Sequence, residues 1–219
     1  MEKNCKGIEK EPIKVILVGS SGVGKTSLIN CAKGEPFKEG TQISTMVCSF
    51  IKLELKIKEQ KYCINLWDTI GQERFRSLTS MFLKDSKIVI FVFDITRTES
   101  FEDLDYWFEI VQGELGDDII RGIIANKRDL IDEQKVDDDV IEEYVNKKGE
   151  DFVYCSALDA KGFNKFLEKL FIKYLEKYGY EEMEKENEIN IDNNKNKGKK
   201  LQREKSNGNK VKNKKSMCC

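Results

Sequence analysis

Eight residues, Gly19-Ser20-Ser21-Gly22-Val23-Gly24-Lys25-Thr26, have the types and the spacing to hold a phosphate. Glycines let the backbone curl until successive N–H groups converge on an anion. Lys25 then brings a point charge to a β- or γ-phosphate, and Thr26 a hydroxyl for Mg2+. The pattern G-x-x-x-x-G-K-[ST] is loose, and its surroundings decide whether it means anything. Here the apolar run Ile13-Lys14-Val15-Ile16-Leu17-Val18 precedes it as a strand, and Thr26 to Lys33 follows as a short helix stopped by Gly34. An anion in the loop would sit at a helix N-terminus, where the dipole and the unpaired N–H groups favour negative charge.

Three further segments carry compatible chemistry. Asp68-Thr69-Ile70-Gly71-Gln72-Glu73 follows a strand ending at Trp67. Asp68 can hold Mg2+ directly or through its waters, Gly71 can bring a backbone N–H close to a γ-phosphate, and Gln72 can orient a water for in-line attack. A strand-ending turn with a helix cap is the plainer reading of the same residues, and the upstream phosphate loop argues against it. Asn126-Lys127-Arg128-Asp129 closes another apolar strand. The Asp129 carboxylate can accept from N1–H and the exocyclic amine of guanine, a donor pair that adenine lacks. The stem of Lys127 can lie along the base plane, and Asn126 can brace the loops. Ser156-Ala157-Leu158 can offer a backbone N–H to guanine O6, and Phe37 can cap the base edge. Thr45, in a polar segment before the Ile51 strand, is a candidate ligand for Mg2+ from the opposite side.

The elements that must position these residues read as an alternation of strands and helices. Ile51–Ile57 alternates apolar and polar, and Glu59-Gln60 can turn it back into Lys61–Trp67 as an antiparallel hairpin at a sheet edge. Ile88–Phe93, Ile119–Ala125 and the short Phe152–Cys155 are apolar runs of the kind buried on both faces of a parallel sheet. Between them lie helical stripes: Leu104, Trp107, Phe108, Val111 and Leu115; Val136, Val140, Ile141, Tyr144 and Val145; and Phe163, Phe166, Leu167, Leu170, Phe171 and Tyr174. The fold class expected is α/β, a six-stranded, mostly parallel sheet with one antiparallel edge strand, flanked by helices. Ligands of such a sheet sit at the carboxyl ends of its strands, where every polar motif above falls.

The 219 residues are expected to divide into a flexible N-terminus (1–10), one globular domain (11–180) and a disordered basic tail (181–219). The net charge of −1 hides an asymmetry. From Lys195 to Cys219 there are ten Lys and Arg against one acid, a net of +9, which leaves −10 on the rest. No run approaches the ~20 apolar residues of a membrane span, and Met1–Lys6 shows no secretory apolar region. The chain has no histidine, which excludes histidine acid/base chemistry, and seven cysteines, five of them without C-x-x-C or metal-ligand spacing, which read as reduced thiols. For the tail, a nucleic-acid arm is the rival to a membrane contact. No aromatic residue interleaves the lysines for base stacking, so no nucleic acid is expected.

Taken together, these residues resemble the Ras superfamily of small GTPases and, within it, the Rab family, over about Ile13 to Leu175. The motifs that carry the resemblance are the phosphate loop, Trp67-Asp-Thr-x-Gly-Gln-Glu-Arg-Phe75, Arg74-Phe-Arg-Ser-Leu-Thr79, Phe91-Val-Phe-Asp-Ile-Thr96, Asn126–Asp129 and Ser156-Ala157. The ending Cys218-Cys219 is similar to Rab tails that carry two geranylgeranyl groups. The resemblance implies GTP and GDP as ligands with Mg2+, and nucleotide contacts from Gly19 to Ser27 and at Phe37, Thr45, Gly71, Asn126, Lys127, Asp129, Ser156, Ala157 and Leu158. It implies Thr26, Thr45 and Asp68 around the metal, and slow hydrolysis through Gln72 and Lys25. The implied partners are an exchange factor, a GTPase-activating protein, a GDP-dissociation inhibitor or escort protein, and effectors, at the cytoplasmic face of endomembranes. The sequence departs from the family at Met46-Val47-Cys48-Ser49-Phe50, at Ile70 and at Met81-Phe-Leu-Lys84, which makes a recruitment module with little hydrolysis the alternative function. It offers no arginine evidently placed to act in cis.

Overall fold

The computed structural model describes residues 12–35, 49–57, 60–69, 81–158 and 162–178. Six strands form one sheet: β1 (Ile13–Val18), β2 (Ser49–Ile57), β3 (Gln60–Asp68), β4 (Ser86–Asp94), β5 (Ile120–Asn126) and β6 (Asp151–Tyr154). Their order is β2-β3-β1-β4-β5-β6. Strand β2 runs antiparallel to β3, with Ser49 opposite Asp68 and Ile57 opposite Gln60. All other pairs are parallel. The expected class of sheet, with its single antiparallel edge strand, is the one found. The continuous apolar runs become central strands because helices cover both faces, and Val15, Ile16, Leu17 and Val18 are wholly buried.

Among the described residues the long helices are α1 (Lys25–Ala32), α2 (Thr98–Leu115), α3 (Asp138–Lys148) and α4 (162–178), and a 3-10 turn spans Arg128–Glu133. One face of the sheet packs Ile16, Val18, Phe91, Phe93, Ile123 and Ala125 against Leu104, Trp107 and Val111 of α2 and Ile141 and Val145 of α3. On the opposite face α4 comes so close to β5 that a Cβ on Gly122 would lie 2.7 Å from Phe166 Cζ. Every member of the predicted α4 stripe is buried. The α3 stripe is less regular. Val140 is 48% exposed, and Val136 is buried but precedes the helix, whose N-cap is Asp137. A stripe drawn across a helix start mixes two local geometries, and the residue whose phase was set from outside the helix turns to solvent.

Among the described residues no helix is long and apolar enough to cross a membrane. Cys31 and Cys155 are buried and stand outside any disulfide. Cys63 is disulfide-bonded, against the expectation of reduced thiols. Linear spacing carries no sign of such a bridge, which needs only that two Cβ atoms meet in space.

Candidate functional site

The parallel register brings the carboxyl ends of β1, β3, β4 and β5 together, with Ile16 beside Trp67, Val18 beside Phe91, and Asp94 beside Asn126. The segment that leaves β1 is the Gly19–Thr26 loop. Its turn depends on backbone that a side chain would not permit. Gly19 has φ +147°, and a Cβ there would lie 2.1 Å from the Val92 carbonyl oxygen of β4. Gly24, with φ +96°, caps α1, and a Cβ there would lie 2.3 Å from Asn126 Nδ2.

Inside this curl lies the Lys25 ammonium, donating to the carbonyl oxygens of Gly19 at 2.7 Å and Ser20 at 3.0 Å. Lys25 is only 5% exposed. Burial pushes its ammonium down from the ordinary 10.5 to about 8; the Asp68 charge raises it and the Arg97 charge lowers it further. Thr26, in the first turn of α1, donates its hydroxyl to Asp68 Oδ2 at 2.6 Å. Asp68 is buried at the end of β3. Thr69, next in the chain, is tied by its hydroxyl to the Leu17 carbonyl at 2.6 Å. Ser27 follows Thr26 on α1 and is half-buried. A hydroxyl and a carboxylate oxygen meeting at one point beside a phosphate-type loop are the hard donors that Mg2+ takes, so these two residues fit that ion.

A second group gathers at the end of β5. Asn126 is wholly buried and donates Nδ2 to the Val23 carbonyl at 2.7 Å. This bond ties the segment after β5 to the Gly19–Thr26 loop. Lys127, at φ +64°, places its ammonium 2.6 Å from Asp94 Oδ2. Asp129 receives the hydroxyl hydrogen of Ser156 at 2.5 Å, and that same hydroxyl oxygen accepts from the Leu158 N–H at 3.0 Å. Ala157 is buried and Leu158 is 59% exposed. The Ser156 side chain thus contacts the carboxylate, where the sequence pointed only to backbone N–H groups in this segment. Phe37, Thr45, Gly71, Gln72, Cys218 and Cys219 lie outside the described residues.

Several supporting residues escaped the sequence reading. Asp94 accepts from the N–H of Thr96 at 2.9 Å and from its hydroxyl at 2.8 Å, while its other oxygen holds Lys127. An acid ending the otherwise apolar Ile88–Phe93 run was the available signal. Arg128 makes a two-pronged pair with Asp138, at 2.8 and 2.7 Å, and its guanidinium carbon lies 4.2 Å from the centre of the Tyr154 ring. Its backbone N–H donates to the Cys155 carbonyl at 2.9 Å. The segments Asn126–Asp129 and Ser156–Leu158 are thereby held side by side. The Arg128 and Gln134 hydrogen bonds hold the Asp138 carboxyl at about 2, below its usual 3.8. Arg97, at the start of α2, donates Nη1 to the Ser21 carbonyl at 2.8 Å. No local pattern marks an arginine beside the phosphate loop, because this contact joins residues 76 positions apart.

A glycine-lined loop with a buried lysine, a Thr–Asp oxygen pair, and an acid just beyond the end of β5 are the parts that a nucleoside-phosphate site on a parallel α/β sheet calls for. The family model described as "Ras family" matches residues 14–176. This chain belongs to the Ras family of small GTPases. Its relatives agree with the Rab resemblance. It is similar to "Ras-related protein Rab-26" of Bos taurus, 35% identical over 144 residues that make up 66% of this chain and 56% of that protein. To the Rattus norvegicus protein of the same name it is 36% identical, with the same coverage. The chain spans little more than half the length of these curated relatives.

Proposed function

We propose that this chain is a Rab-like switch that binds GTP and GDP, hydrolyses GTP slowly to GDP and phosphate, and works while tethered to a membrane in vesicle traffic. The observation that supports it is the single bond from Asn126 to the phosphate loop, which joins a base reader and a phosphate cradle into one site. In this reading the N–H groups of the loop and the Lys25 ammonium hold the β- and γ-phosphates. Asp129 accepts from guanine N1–H and the exocyclic amine, kept in place by the Ser156 hydroxyl. The Lys127 stem flanks the base while Asp94 holds its ammonium. Thr26 and Asp68, with Thr45 from the other side, would hold Mg2+, whose charge neutralises the triphosphate. Gln72 orients the attacking water, and Gly71 and Thr45 meet the γ-phosphate. Loss of that phosphate releases both segments, and this is the switch.

Intrinsic turnover is expected on the order of 10⁻⁴ to 10⁻² s⁻¹, with an activating protein adding about 10³–10⁵-fold. The tether is the Cys218-Cys219 pair with two prenyl chains, assisted by the +9 tail; one chain binds marginally and a second signal makes binding stable. An exchange factor, an escort protein and effectors complete the proposed cycle at the cytoplasmic face of endomembranes. Single-turnover GTP hydrolysis, with and without an activating protein, tests the enzyme reading, and absence of cleavage in both arms refutes it. Mass spectrometry of the C-terminal peptide tests the tether, which unmodified cysteines on native membranes would exclude.

A further inference from the structure

The outer flank of the phosphate loop is pinned to α2 at two successive residues. Arg97 Nη1 donates to the Ser21 carbonyl oxygen at 2.8 Å, and the Ser20 hydroxyl donates to Asp103 Oδ2. The same Arg97 nitrogen would lie 3.1 Å from a Cβ built on Gly22. Its backbone is equally fixed. Arg97 N–H donates to the Asp94 carbonyl at 3.0 Å, and the Arg97 carbonyl accepts the Ser100 hydroxyl at 2.7 Å. The guanidinium therefore projects from a rigid turn, and that turn is organised by Asp94, which also holds Lys127.

The consequence follows from peptide geometry. In a trans peptide the C=O of one residue and the N–H of the next point in opposite directions, and no cis peptide bond occurs among the described residues. A guanidinium that holds the Ser21 carbonyl outward turns the Gly22 N–H the other way, to the concave side that a bound anion would occupy. We infer that Arg97 is a positioning residue for phosphate binding: it aims the Gly22 N–H at the phosphates from behind the loop, without touching the nucleotide itself. This inference rests on the guanine-nucleotide reading above. It makes the Asp94–Arg97 turn a strut with two ends, one on the phosphate loop through Arg97 and one on the base reader through Lys127.

A merely structural arginine would weaken all ligands alike, whereas a phosphate-positioning one acts only on ligands that carry phosphates. The test compares wild type, Arg97→Ala, Arg97→Gln and Arg97→Lys in the full chain. It measures dissociation of fluorescent GDP, competition by guanosine, and the thermal midpoint. Loss of one charge-assisted bond predicts GDP release about tenfold faster in Arg97→Ala and roughly threefold faster in Arg97→Gln. Guanosine affinity should be unchanged, and Arg97→Lys should recover most of the loss. Unaltered GDP release in Arg97→Gln or Arg97→Ala overturns the inference, and so does an equal weakening of GDP and guanosine. Wild-type protein that takes up no GDP refutes the nucleotide reading instead, which separates the two failures.

Discussion

The glycine that caps α1 and the asparagine that ends β5 occupy space that only one of them can fill. Gly24→Ala is the sharpest perturbation of that arrangement. Its backbone stands at φ +96°, a conformation that costs an L-residue about 1–2 kcal/mol. The added methyl would lie 2.3 Å from Asn126 Nδ2. Asn126 is wholly buried, so its amide must leave the Val23 carbonyl, and a broken buried hydrogen bond costs about 1–3 kcal/mol. The sum is about 2–5 kcal/mol, a large share of the 5–15 kcal/mol that holds a typical domain together. It corresponds to a fall in melting temperature of roughly 4–20 °C for a domain of this size. A double-mutant cycle isolates the steric part. Removing the amide with Asn126→Ala frees the space, so Gly24→Ala in that background should cost only its backbone share. Urea unfolding of the four proteins stripped of nucleotide, because bound ligand would shift each variant's stability according to its own affinity, should give a coupling of about 1–3 kcal/mol. Additivity within about 0.5 kcal/mol would refute the reasoning, since uncoupled sites add to that precision.

Three other outcomes follow from the same geometry. Asp129→Asn replaces one acceptor oxygen with a donor, so selectivity should move from guanine toward xanthine, whose C2 oxygen accepts; competition between GDP and XDP reads it, and retained GDP preference contradicts it. Gly122→Ala should destabilise by about 1–3 kcal/mol by overpacking against Phe166 and Leu170, seen as a lower denaturant midpoint with nucleotide selectivity intact. Asp138 is held at about 2 by Arg128 and Gln134. Its contribution to stability is therefore full above the unfolded value of 3.8 and is lost as pH falls toward 2. In Arg128→Ala its titration, followed by carboxyl NMR, should move back up toward 3.8, and the stability gap from wild type should narrow between pH 4 and 2. The gap itself is small, because the Asp138 side chain is 41% exposed and solvent screens it.

How far the chain could be read without coordinates depended on whether a signal was local. The strand Ile13–Val18, the loop after it and the helix beyond were legible because apolar run, glycines and Lys-Thr occupy consecutive positions. The buried stripe of α4 was legible because one helical phase holds throughout it. The α3 stripe fails at Val140 because a phase continued from Val136 does not hold across the helix start. What could not be read is mostly long-range. Asp94 looks like a strand end until β4 and β5 align and Lys127 reaches it. Arg97 looks like an ordinary surface cation at a helix start until α2 packs beside the phosphate loop. The Ser156 hydroxyl joins Asp129 across 27 residues, a pairing no periodicity encodes.

The account stands most directly on one titration: nucleotide-stripped protein with Mg2+, calorimetry of GDP and ADP, wild type beside Asp129→Ala. It predicts GDP uptake at micromolar affinity or tighter, ADP weaker by on the order of 10²–10⁴ because two charge-assisted bonds are missing, and a collapse of that preference in Asp129→Ala. Equal affinity for the two nucleotides, or a GDP preference that survives Asp129→Ala, would contradict it.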